Sequence, residues 1–164
     1  MFDPTTLLGL HTWLSLVGLV SGFVVLVGLI QSQRLDGWTT VFLAATVLTS
    51  ATGFSLPAGQ ILPSHIVGVI SLAVLAVAIL ARYVYRLAGA WRWIYVVSAM
   101  AALYLNAFVA VVQAFRKIPA LHALAPTESE PPFAIAQGIL LVAFVILTIW
   151  AARAHRDEAP PAHA

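Results

Sequence analysis

From Thr6 to Gln31 the chain runs without an acidic or strongly basic side chain, a length that a water-soluble fold has no means of hiding. Four further apolar runs follow, at 38–56, 65–83, 93–115 and 133–152, divided by short segments that hold most of the charge and much of the proline. A helix rises about 1.5 Å per residue, so roughly 20 apolar residues cross the hydrocarbon of a bilayer. The pattern predicts an all-α membrane bundle of five transmembrane helices. Residues 1–152 form its single domain and 153–164 a mobile cytoplasmic tail.

Composition narrows the function classes. Of 164 residues 62% are hydrophobic and 9% charged, with a mean hydropathy of +0.98; soluble domains hold about 25% charged residues. The net charge of +2 and a pI near 9.4 do not indicate a nucleic-acid partner, because the arginines sit at helix ends, where they serve topology. There is no cysteine, which excludes disulfides, thiolate ligands and iron–sulfur clusters. The start Met1–Thr5 has no basic region and no small-residue cleavage site, and is not expected to be a cleaved signal peptide.

Five spans divide the basic residues unequally. Arg116 and Lys117 fall on the face that also holds the N-terminus; Arg34, Arg82, Arg86, Arg92, Arg153 and Arg156 fall on the other. Cytoplasmic loops attract lysine and arginine, so the second face is predicted to be cytoplasmic and the N-terminus to lie outside. Trp38, Trp91, Trp93 and Trp150 gather at the cytoplasmic end, as an interfacial belt does. The protein is expected to be multi-pass in the inner membrane of a bacterium.

Within this scaffold the ionisable residues inside the spans are the functional candidates, since polar groups in hydrocarbon need specific partners. His11, near the start of the first span, and His65, at the start of the third, fall at similar depth in the outer leaflet. His11, Ser15, Gly18 and Gly22 follow one another at helical spacing, and Gly18–Gly22 is a GxxxG face suited to close packing. Thr46, Thr49, Ser50 and Gly53 share a face of the second helix, where hydroxyls normally bond back to their own helix or to a neighbour. Tyr95, Ala99, Ala102, Asn106 and Gln113 share a face of the fourth, with Asn106 near mid-membrane. Gln113 and Gln137 approach the level of the histidines, and Arg116, Lys117 and His122 lie just above them.

Four segments carry a resemblance. Leu10-His11-Thr12, Thr52-Gly53-Phe54, Pro63-Ser64-His65-Ile66-Val67-Gly68 and Ala125-Pro126-Thr127-Glu128-Ser129-Glu130-Pro131-Pro132-Phe133 resemble segments of a family of small bacterial inner-membrane proteins to which no activity is attached. The resemblance implies a bacterial polytopic membrane protein.

The histidine pair admits several readings. Two neutral imidazoles from different helices can take the axial positions of a b-type haem in an electron-transfer protein, with Gly18 and Gly68 leaving room for the ring and Arg116 and Lys117 pairing with its propionates. A metal site on His11 and His65 would recruit His122, or Glu128 and Glu130. Purely structural histidines, hydrogen-bonded to neighbouring helices, belong to a non-catalytic accessory subunit or assembly factor of a larger membrane complex or homo-oligomer. Asn106, Gln113 and Gln137 read first as interhelical glue, and no catalytic triad or phosphate-binding loop is present in the sequence.

Overall fold

The computed structural model describes Asp3, residues 5–55 and residues 63–154. Those residues form helices and turns, with no strand among them: α1 Leu7–Ile30, α2 Asp36–Phe54, α3 Pro63–Ile79, α4 Trp91–Lys117, α5 Pro119–Leu124 and α6 Pro131–Ala154. Five of the six are long and run up and down in sequence; α5 is one short turn of helix in the connection between α4 and α6. Of the turn expected at 57–64 the last two residues begin α3, and of the tail expected at 153–164 the first two end α6; the rest of both lies outside the described residues.

Each long helix starts and stops for a local reason. Thr6 caps α1, its hydroxyl accepting from the Gly9 amide at 3.1 Å. Ser32, in the left-handed region at φ 55°, ends it, and Leu35 then folds back over Gly28. Beyond Ile79 the third helix continues through a π-helical turn, Leu80–Val84, in which Tyr85 N–H reaches the Leu80 carbonyl at 3.0 Å. Arg86, Leu87 and Gly89, all at positive φ, then reverse the chain into α4. Pro119 occupies the first turn of α5, where its missing N–H is of no consequence.

Among the described residues four helices are long and apolar enough to cross a membrane: α1, α3 with its π-helical end, α4 and α6. The expected count of five is therefore met in helices but not in apolarity. α2 carries Asp36 in its first turn and five threonines and a serine beyond it, and that polarity is what the bundle uses: Thr39, Thr46 and Thr49 are all buried. α4 is the central element, packing on α1, α3, α5 and α6, while α1 has its broadest contact with α2.

The bundle has two unlike halves. From its middle to the end where α1 finishes and α4 begins, the interior is mainly apolar and filled by side chains, among them Val25, Leu29, Phe42, Leu75, Val96, Met100 and Leu103. Arg82 closes that end: it pairs with Asp36 and lies between the rings of Tyr95 (5.2 Å from the guanidinium carbon to the centroid) and Tyr83 (5.8 Å). Tyr85 stacks on Trp91 at 3.8 Å. In the other half the facing residues turn small and hydroxylated, and the helices enclose space instead of filling it.

α6 is attached more lightly. Phe144 sits between Phe23 and Tyr104, Gln137 donates to the Phe108 carbonyl at 3.2 Å, and Ser32 donates to the Ala154 carbonyl at 2.9 Å. The remaining surface of α6 is exposed and apolar, with Ile135, Ile139, Val142 and Ile146 on one side.

The close approach of α1 to α2 and α4 depends on its glycines. A methyl group at Gly22 would come within 2.4 Å of Leu103 Cδ1 and 2.9 Å of the Phe42 ring, whereas one at Gly138 would meet nothing within 4 Å. Gly22→Ala should therefore destabilise the bundle by about 1–3 kcal/mol through overpacking, and Gly138→Ala should leave stability within about 0.5 kcal/mol of wild type. Reversible unfolding in mixed detergent micelles measures both; equal midpoints for the two variants would show that the α1 seam is not close-packed.

Candidate functional site

The open half of the bundle contains a cavity of about 170 Å³. α1 contributes His11 and Ser15 to its lining, α2 contributes Thr46, Thr49, Ser50, Gly53 and Phe54, α3 contributes His65, Val67, Gly68 and Ser71, and α4 contributes Leu105, Asn106, Val109 and Gln113. The periodicities foreseen in the sequence deliver these groups: each set recurs at three- or four-residue steps and so projects from one face of its helix. None of the described lining residues carries a carboxylate, an ammonium or a guanidinium group.

His11 is oriented by α2. Its Nδ1 lies 3.0 Å from Thr52 Oγ1. The Thr52 hydroxyl has a single proton, directed to the Leu48 carbonyl at 2.7 Å and shared with the Thr49 carbonyl at 3.1 Å. Thr52 Oγ1 therefore accepts from His11, which places the imidazole proton on Nδ1 and leaves a lone pair on Nε2. The ring lies over Gly53, where a Cβ would be in ordinary contact with His11 Cε1 at 3.4 Å. His65 borders Phe54, ring centroids 5.7 Å apart and tilted by 42°.

Two polar groups on the cavity wall lack partners. Asn106 and Thr49 are each only 8% exposed, and neither Asn106 Nδ2 nor Thr49 Oγ1 has a hydrogen-bond partner. A buried polar group left in this state costs about 1–3 kcal/mol. Nearby hydroxyls are satisfied: Ser50 donates to Ser71 at 3.2 Å across α2 and α3, and Thr46 donates to the Phe42 carbonyl at 2.8 Å within α2.

Of the residues singled out in the sequence, the cavity gathers His11, His65, Gly68, Asn106 and Gln113, with Ser15 of α1 and the Thr46, Thr49, Ser50 and Gly53 face of α2. Gly18 lies behind the wall: a Cβ there would meet Asn106 Nδ2 and Thr46 Oγ1, each at 3.0 Å, so its space belongs to that amide and hydroxyl. Gly68 does line the cavity, but Phe54 covers it, 3.1 Å from a Cβ at that position. Gln137 does not reach the cavity; its amide nitrogen is spent on the Phe108 carbonyl. Phe54 and Ser71 also belong to the site, and their only signal in the chain is helical spacing, Phe54 from Ser50 on α2 and Ser71 from Gly68 on α3.

Of the charged residues above the site, Arg116 and Glu130 are engaged elsewhere. Arg116 Nε meets Glu128 Oε1 at 3.1 Å, and Lys117 and His122 are exposed on the end of α4 and on α5. Glu130 closes a turn by accepting from the Thr127 amide at 3.2 Å, the Thr127 hydroxyl at 2.8 Å and the Ser129 amide at 3.1 Å. Slight desolvation raises its pKa, but those hydrogen bonds outweigh it and hold the carboxyl below its ordinary range. Among the described residues no three His, Asp or Glu side chains are grouped to hold a metal ion.

The chain was compared with family models, curated proteins and solved structures, and nothing matches in any of the three. The site must be read from its own geometry.

That geometry makes a specific demand on His11. Thr52→Val keeps the shape of the residue but removes the acceptor for Nδ1–H, so the fixed tautomer should be lost. Imidazole ¹⁵N shifts of histidine-labelled protein should show one nitrogen protonated and one bare in wild type, and a mixture in T52V. The same spectrum in both proteins would mean that another group orients the ring.

Proposed function

We propose that the protein is a multi-pass component of a bacterial inner membrane, with α2 crossing beside the four more apolar helices, and that it holds a ligand between His11 and His65 in the outer half of the bilayer. The observation that carries the reading is the convergence of both histidines and the unpartnered Asn106 amide, from α1, α3 and α4, on one cavity. Ionisable and amide groups at membrane depth are retained at a cost, and ligand sites are where that cost is recovered. The orientation rests on the division of lysine and arginine between the two ends.

A b-type haem is the cofactor that two histidines on separate helices invite. For it to enter, Phe54 has to leave Gly68 and the cavity has to widen, because 170 Å³ lies below the roughly 300–1,000 Å³ of sites for ligands of drug size. Arg116 would have to part from Glu128 to meet a propionate. A metal ion needs no such widening, but it would find two imidazoles and otherwise neutral donors.

The accessory-subunit reading draws on a different observation, the exposed apolar face of α6. Such a face suits a partner helix of a larger complex or a second copy of the chain as well as it suits lipid. It predicts isolation in a stoichiometric complex.

Two experiments test the proposal. Protease added to spheroplasts should cut a site inserted at Thr127 and spare a tag at the C-terminus; the reverse pattern would overturn the assignment of the cavity to the outer leaflet. Native mass spectrometry with absorption spectra, on protein purified in mild detergent, should find a bound molecule in wild type that His11→Ala and His65→Ala each lose. A Soret band among the lost features identifies haem. Equal bound mass and equal spectra in all three proteins would remove the ligand-site reading.

A further inference from the structure

Resting on the reading of the cavity as a ligand site, we infer that its ligand is the head group of a lipid-soluble quinone or quinol. Four features of the cavity select this chemistry.

The first is charge. With no carboxylate, ammonium or guanidinium group among the described lining residues, an ionic ligand would enter hydrocarbon without a counter-charge. The occupant is neutral.

The second is hydrogen bonding. Asn106 Nδ2 has no acceptor where it lies against Gly18, 3.0 Å from a Cβ built there, and its side chain is more than nine-tenths buried. Thr49 Oγ1 is equally buried and equally unpartnered. The tautomer imposed by Thr52 leaves His11 Nε2 as an acceptor. A ligand with oxygens on a ring answers these groups: a phenol O–H donates to His11, and once the Asn106 and Thr49 side chains rotate toward the cavity a carbonyl or phenol oxygen accepts from both. A quinone uses the donors of the wall, and a quinol uses the acceptor as well.

Shape is the third feature. About 170 Å³ holds roughly six waters at about 30 Å³ each, or one substituted six-membered ring, and it does not hold a whole lipid. Val67, Leu105 and Val109 supply apolar walls, and the tilted pair of Phe54 and His65 supplies an aromatic border against which a flat ring stacks.

The fourth is access. α3 turns Val67, Gly68 and Ser71 to the cavity while its opposite side exposes Ile66, Val69 and Ile70. One helix thickness separates the site from the hydrocarbon in which an isoprenoid tail dissolves. Phe54, 40% exposed, and Gln113, also exposed, both line the cavity and reach the molecular surface.

The test titrates decylubiquinone, and separately its quinol, into nanodiscs containing the full-length protein and into empty nanodiscs, by calorimetry, with 1-decanol as the tail without a head. Saturable heat should appear only with protein and only for the ring compounds. Asn106→Leu should weaken binding about tenfold, the loss expected for one good hydrogen bond. Thr49→Val, which keeps the shape of the threonine, should weaken it several-fold, and Gly138→Ala should leave it unchanged. Heat no greater than that of decanol, or wild-type affinity in both N106L and T49V, would overturn the inference. The two failures separate cleanly. A bound molecule seen by native mass spectrometry, lost in the histidine variants and not displaced by decylubiquinone, would sink the quinone and leave the ligand site standing. No bound molecule and no quinone binding would sink both.

Discussion

Inside a bilayer one apolar helix gains little by leaving lipid for another, so helices are held together by how closely their backbones approach and by the polar bonds that approach permits. The Gly18–Gly22 face of α1 is where this bundle meets that condition. Gly22 lies under Phe42 and Leu103, and a single added methyl group would collide with both. One turn earlier, Gly18 lies under Thr46 and Asn106. The same seam thus joins the mainly apolar half of the molecule to its polar half, and the change from an apolar to a polar neighbour across one helical turn marks where packing ends and the cavity begins.

Much of this was legible in the sequence because membranes restrict the choices. Long uncharged runs have to be helices, and Gly89, Pro119 and the arginine-rich ends punctuate them where the chain does turn. That His11 and His65 come to one level of the bundle followed from counting residues. What counting cannot supply is the direction a side chain faces once helices have chosen their neighbours. Gly18 and Gly68 suggested free space for a ring, yet a missing side chain is also an invitation to the helix opposite, and Asn106 and Phe54 accept it. Arg116 suggested an anion-binding group over the site, but the turn at Thr127–Glu130 holds Glu128 at positive φ and within reach of the guanidinium.

The second helix carries the other lesson. Its threonines and Ser50 read as hydroxyls that mend their own backbone, and Thr46 and Thr52 do so. Thr49 does not, and Ser50 reaches across to Ser71. A helix too polar to be counted with the other four as a span by composition alone is the one that supplies five of the residues around the cavity. Its low apolarity and its place in the site have one cause, since residues that face an enclosed polar space need not dissolve in lipid.

None of the described lining residues comes from α6, although that helix closes one side of the bundle through Phe144, Gln137 and Ser32. Division of labour follows. The first four long helices answer for the chemistry of the interior, and the last answers for the molecule's outer boundary. Among descendants of such a chain, the outward face of α6 is free to drift with the thickness of the membrane or the identity of a neighbour, while the inward faces of α1 to α4 can change only in concert.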